Sequence, residues 1–182
     1  MRGIRSTLVL LVVLLGLLGY IYYMKPLSED PVEQKAKVFT VEPDKIEEVR
    51  IKASSGETTL LKKRNGTWEL VEPVTARADQ SEVSGIITNL ASLETQRVID
   101  ENPGDVAKYG LATPKTVVSF RRTGDKDLSQ LQLGDQTATG GDMYAKRPSE
   151  KKVFLVSSFL ETTFNRTPFN LREKTLLTFE RD

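Results

Sequence analysis

The 182-residue chain contains no cysteine and no histidine. The first absence excludes disulfides, a thiolate nucleophile and thiolate metal ligation. The second removes imidazole both as a ligand and as a general acid or base. Ser-His-Asp and Cys-His catalysis and His-ligated zinc are therefore closed to this sequence. An oxidising compartment permits disulfides without requiring them, so the missing cysteine is compatible with an extracytoplasmic body. A dominant charge is missing too: 26 Lys and Arg stand against 25 Asp and Glu. Setting aside Arg2 and Arg5 leaves 24 against 25 in the remainder. The densest basic stretches, Lys62-Lys63-Arg64 and Arg121-Arg122, adjoin expected turns, where solvated charge is ordinary. No nucleic acid partner is expected, because such a surface needs clustered cations.

What is present begins with residues 7–24, an uncharged run from Thr7 to Met24 preceded by Arg2 and Arg5. A helix rises about 1.5 Å per residue, so roughly 18 to 21 apolar residues cross a hydrocarbon core about 30 Å thick. A cleavable signal has a shorter apolar region, about 7 to 15 residues, and small residues at the cut. Here the run ends in Tyr20, Ile21, Tyr22 and Tyr23, and lipid attachment lacks its cysteine. The pattern predicts a retained signal anchor over residues 1–24, with the lipid bilayer as first partner. Leu8, Leu11, Leu15 and Leu18 are its apolar contacts, and Tyr20 and Tyr23 belong to the interfacial belt. Arg2 and Arg5 place the amino terminus on the cytoplasmic side and the body outside. Gly16 and Gly19 are three apart and do not make the small-xxx-small spacing of helix dimers. Residues 25–37, with Pro26 and Pro31, read as a juxtamembrane linker. Fully extended, about 13 residues span at most roughly 45 Å.

Residues 38–182 are long enough for one domain with its own core. Val49, Ile51 and Ala53 alternate with Arg50 and Lys52, which predicts a strand with opposite apolar and charged faces. Gly56 and Asn65-Gly66 then turn the chain through residues 58–64 and 67–71, Asn-Gly being the strongest short hairpin signal. After Pro73, Asp79 with Glu82 forms a capping box opening a helix that carries Val83, Ile86, Ile87, Leu90 and Leu93 on one stripe. Residues 102–105 start a shorter helical turn stopped by Gly110. Beyond Pro114, strands are expected at residues 116–122, 128–133, 143–147 and 151–156. Ser158 with Glu161 is a second capping box ahead of Phe159, Leu160 and Phe164, and Asn170 with Glu173 a third. The expected class is α+β: antiparallel meanders each packed with a helix, in two units of about 38–100 and 114–182. Residues 38–44 and 176–182 also align without gaps, as a repeat boundary would or as an edge strand alone.

Several short elements stand out in order: Asn65-Gly66-Thr67-Trp68-Glu69-Leu70, Ala78-Asp79, Lys108-Tyr109-Gly110-Leu111 with Pro114, Leu133-Gly134, and Leu171-Arg172-Glu173-Lys174. With Ile46 to Ile51 they resemble the bacterial domain of unknown function 4340 family. The resemblance implies a membrane-anchored protein of the bacterial inner membrane, often encoded beside components of ABC-2 type or gliding-motility-like export systems. An ABC-type permease or another envelope protein is the partner it implies. It supplies no catalytic residue and no cofactor. Members often carry several copies of the unit; one is recognised here.

Trp68, alternating with Leu70, is expected in the core. Tyr109 is expected to cap a short helix, Gly110 to stop it, and Arg172 to pair with a carboxylate. Asp125, Asp127, Asp135 and Asp142 are candidates for a calcium or hydrolytic set. Asp125-Lys-Asp127 lacks the spacing and central glycine of a calcium loop, and turns favour Asp for backbone reasons. No metal or catalytic residue is assigned. The leading expectation is a non-catalytic, membrane-anchored extracytoplasmic interaction module. A ligand-binding sensor is the alternative, and a carboxylate-dependent hydrolase the third reading.

Overall fold

The computed structural model describes residues 2–23 and 36–174. The chain divides into two compact units, Met1–Gln34 and Lys35–Asp182. The first holds helix α1 (Arg2–Tyr23). Its described side chains are Thr7 and residues 10–20, and the large apolar ones among them are each more than half exposed. Among the described residues no helix is long and apolar enough to cross a membrane. A described stretch of residues 10–20 rises only about 16 Å. The side chains of Leu8 and Tyr23 lie outside the described residues, as do most of the expected linker and residues 175–182.

Among the described residues the second unit is α+β, built on one antiparallel sheet of nine strands. In chain order these are β1 (Ile46–Lys52), β2 (Thr58–Arg64), β3 (Thr67–Glu72), β4 (Ala76–Arg77), β5 (Arg97–Asp100), β6 (Thr116–Arg122), β7 (Ser129–Gln136), β8 (Asp142–Lys146) and β9 (Val153–Ser157). Across the sheet they run β4-β3-β2-β1-β6-β7-β8-β9-β5. The expected meanders are present, but they are not separate units. Val49 opposes Phe120 and Ile51 opposes Val118, so β1 and β6 fuse the two halves edge to edge. Sharing an edge buries two rows of backbone groups that separate sheets would each leave open.

The β2–β3 hairpin forms as its Asn-Gly requires, with φ of 51° at Asn65 and 84° at Gly66. Helix α2 (Gln80–Ala91) starts at Asp79, whose Oδ1 accepts from the backbone N–H of Ser81 (3.0 Å) and Glu82 (3.2 Å). The carboxylate of Glu82 is engaged by Arg166 at 3.1 Å, an ion pair rather than the reciprocal half of a capping box. Val83, Ile86, Ile87, Leu90 and Leu93 are all buried, as their spacing predicts. Two later caps differ from expectation. Ser158 donates its hydroxyl to Gly140 O, so α3 (Phe159–Phe164) starts without a side-chain cap. Asn170 sits inside α4 (Pro168–Leu171) and accepts from the N–H and hydroxyl of Thr167, fixing the start of that helix and not of a later one.

The three helices share one core with one face of the sheet. Ile86 and Leu90 of α2, Phe164 of α3 and Leu171 of α4 join Val49, Leu61, Trp68, Phe120, Leu131 and Phe154 in it. Phe39 reaches the same core ahead of β1. Its ring meets Phe120 edge-on at 4.9 Å, and Val38 N–H donates to Leu93 O. Residues 38–41 are thus an ordered strap ahead of β1, and the other half of the sequence echo, residues 176–182, lies outside the described residues.

Candidate functional site

The residues singled out by sequence, Trp68 with Arg172 and Tyr109 with Gly110, fall at two places, and a charged face of the sheet makes a third. Trp68 is buried in the core. Its backbone is gripped by Gln80, whose Oε1 accepts from Trp68 N–H at 3.0 Å and whose Nε2 donates to Trp68 O at 3.0 Å. Ala78 lies alongside and forms an isolated antiparallel bridge with Arg172. Asp79 N–H donates to Leu171 O, and Glu173 N–H to Arg77 O. Arg172 therefore acts through its backbone, lengthening the sheet beside β4. Among the described residues its exposed side chain makes no ion pair, contrary to the expected carboxylate partner.

Tyr109 closes a 3-10 turn (Ala107–Tyr109) that begins later than the turn expected at residues 102–105. Gly110 follows with φ of 69°, the left-handed stop its sequence position predicts. The Tyr109 hydroxyl donates to Asp100 Oδ2 at 3.3 Å, and its ring lies 4.9 Å from that of Tyr144. Lys108 sits 4.7 Å above the same ring and 3.7 Å from Asp100. Its ammonium is held above the ordinary lysine range, chiefly by its interaction with Tyr109, with desolvation opposing and Asp100 adding a smaller push. The turn caps the second face of the sheet, where Tyr109, Leu111 and Val153 form a separate small core. Its approach is close. A Cβ on Gly134 would stand 2.1 Å from Tyr109 O, and one on Gly110 would stand 2.8 Å from the backbone N of Asp135. Tyr109-Gly110-Leu111 and Leu133-Gly134, far apart in sequence, are therefore two sides of one contact.

The third place is the other half of that second face, which nothing among the described residues covers. Glu48, Arg50 and Lys52 alternate with buried Val49 and Ile51, so they project from it. Glu48 is only 5% exposed, because Lys62 reaches it from β2 at 3.5 Å and Arg121 from β6 makes a short ion pair with it. Glu69 of β3 opposes Lys62 and pairs with Arg64 at 3.4 Å. The result is a charge row crossing four strands. Arg50 and Lys52 are exposed and have no ion partner among the described residues. Sequence alternation does separate Arg50 and Lys52 from the core, but Lys62 and Arg121 looked like turn charges. Their convergence on Glu48 needs the β1–β2 and β1–β6 registers, which local sequence does not give.

The weighed carboxylates do not meet. Asp125 pairs with Arg122 at 2.6 Å and Asp135 with Lys115 at 3.0 Å. Among the described residues no group of three acids could hold a metal ion. A cleft of about 270 Å³ beside the Phe39 strap is lined by Lys37, Thr40, Arg122 and Arg147. Arg147 is already committed there, donating to Val38 O at 3.0 Å and pairing with Glu150 at 2.7 Å.

Compared with known families, the chain matches the domain of unknown function (DUF4340) over residues 68–182. The chain belongs to the DUF4340 family. The matched region starts at Trp68 and takes in the Ala78-Asp79, Tyr109-Gly110-Leu111, Leu133-Gly134 and Leu171-Arg172 elements. In the structure these pair off, Ala78 with Arg172 and Tyr109 with Gly134. Ala78, Arg172, Tyr109 and Gly134 thus take part in close backbone approaches between segments distant in sequence. No curated protein and no solved structure matches the chain.

Proposed function

We propose that this DUF4340 chain is a non-catalytic, membrane-anchored interaction module, held on the outer side of the bacterial inner membrane as an accessory of an ABC-type export or surface-assembly system. The observation that carries it is α1. Leu10, Leu11, Val12, Val13, Leu14, Leu15, Leu17, Leu18 and Tyr20 are all strongly exposed, so the helix is apolar around its whole circumference. A helix apolar on every side is stable only inside a core or a bilayer. The uncharged sequence continues from Thr7 to Met24, the length that a bilayer requires. Arg2 and Arg5 favour a cytoplasmic amino terminus. The export assignment rests on family resemblance. Support for a non-catalytic role comes from the scattered acids, Asp125 and Asp135 being held in separate ion pairs.

Affinity purification of the full chain from membranes in mild detergent tests the reading. Permease or ATPase subunits are expected to co-purify; repeated recovery of the chain alone would count against it.

A further inference from the structure

We infer that the furrow between α2 and α3 binds a neutral oligosaccharide. Two adjoining clefts form it, of about 190 and 300 Å³, and Asn89 lines both. On the α2 side they extend from Ser81 to Ser92, a rise of about 16 Å. Gly85 lines the second cleft. A glycine inside a helix is less stable than alanine there, and the fold gives no steric reason for this one, since a Cβ there would meet nothing within 4 Å. Its effect is to keep the furrow open.

The lining selects the ligand. Asn89 Nδ2 donates to Gly85 O at 2.8 Å and the Ser92 hydroxyl to Thr88 O at 2.8 Å, which leaves the oxygens of both side chains as acceptors. Glu94 adds a carboxylate that makes no ion pair among the described residues. Such a cleft suits a ligand rich in hydroxyl donors, and Glu94 disfavours a phosphate or carboxylate. The other charges lining the furrow, Glu82 and Arg166, neutralise each other at 3.1 Å. Its apolar surface is one ring: Phe159 is 56% exposed, whereas Leu93, Leu160 and Ile86 are buried. A pyranose carries both complements, hydroxyls around its rim and a face of C–H groups that stacks on an aromatic ring. An extended peptide gains most from an open strand edge, which two helices do not offer.

Saturation-transfer NMR on the full chain, purified in a detergent without a sugar headgroup, tests this with chitotetraose, cellotetraose and maltotetraose as probes. Transfer is expected to the C–H protons of at least one tetrasaccharide at millimolar concentration, and not to tetra-alanine. Phe159→Ala, at an exposed position, should weaken that binding about tenfold and leave Tm unchanged. Gly85→Leu should weaken it severalfold by filling the second cleft, with Tm at or above that of the unaltered chain because a better helix former replaces glycine. Raising salt to about 1 M should leave binding intact, because the ligand is uncharged. The inference is overturned by no transfer to any tetrasaccharide, by transfer undiminished in either variant or lost in high salt, or by an equal signal from tetra-alanine. None of these readings depends on the anchor, so co-purification decides the anchored reading separately.

Discussion

Strands β1 and β9 lie in the same sheet and are finished in opposite ways. In β9, Val153, Phe154, Leu155 and Val156 are all buried, because helices cover one side and the segment around Tyr109 covers the other. In β1, Val49 and Ile51 are buried while Arg50 and Lys52 are exposed, because the helices cover one side and nothing described covers the other. The sequences show the same contrast, a continuous apolar run against strict alternation. The difference teaches where this fold invests its packing. The helical face is one continuous core, the Tyr109 cap is a local seal, and the charged half is left for solvent or a partner.

That ranking can be broken by substitution. Phe120→Ala empties a fully buried site in the helical core and removes the Phe39 contact; it should cost about 3–5 kcal/mol in equilibrium denaturation. A loss below about 1 kcal/mol would mean the core is not continuous there. Gly134→Ala attacks the seal instead. Its new methyl meets the backbone oxygen of Tyr109, and about 1–3 kcal/mol should be lost, with faster amide exchange in β8 and β9 and little change in α2. Exchange rising equally in both places would remove the distinction between core and seal.

Glu48→Ala tests the charged half. Lys62 and Arg121 lose their shared partner but remain partly exposed, so the expected cost is about 1–2 kcal/mol, below that of a fully buried pair. Thr59→Val has the smallest effect and the opposite sign. The Thr59 hydroxyl is fully buried with no partner among the described residues, and its replacement should raise stability by up to about 1 kcal/mol. A loss of stability there would point to a bound water at that hydroxyl.

Local chemistry made much of this legible in advance. Asn65-Gly66 fixes its hairpin through positive φ, Asp79 caps α2 through its own carboxylate, and the Val83 to Leu93 stripe lies on one side of a helix. What stayed hidden depends on distant pairing. Strand β5 is four residues long and finds its partner, β9, more than fifty residues later. The fusion of β1 with β6 replaced two units by one sheet, and it also created the Lys62-Glu48-Arg121 cluster. Gly110 is legible as the stop of its turn, but its close approach to Asp135 and the backbone role of Arg172 are not. A glycine demanded by another segment's carbonyl oxygen carries no signal in its own neighbourhood. Ser158 and Asn170 carry cap chemistry that other partners claim first, Gly140 O eighteen residues back for Ser158 and Thr167 for Asn170.

An accessory role at the membrane requires that α1 hold the chain in a bilayer, and fractionation of cells expressing the full chain tests this directly. After an alkaline carbonate wash the chain should remain wholly in the membrane pellet, while a variant lacking residues 1–24 should be released. Recovery of the full chain in the carbonate supernatant would contradict the anchored reading.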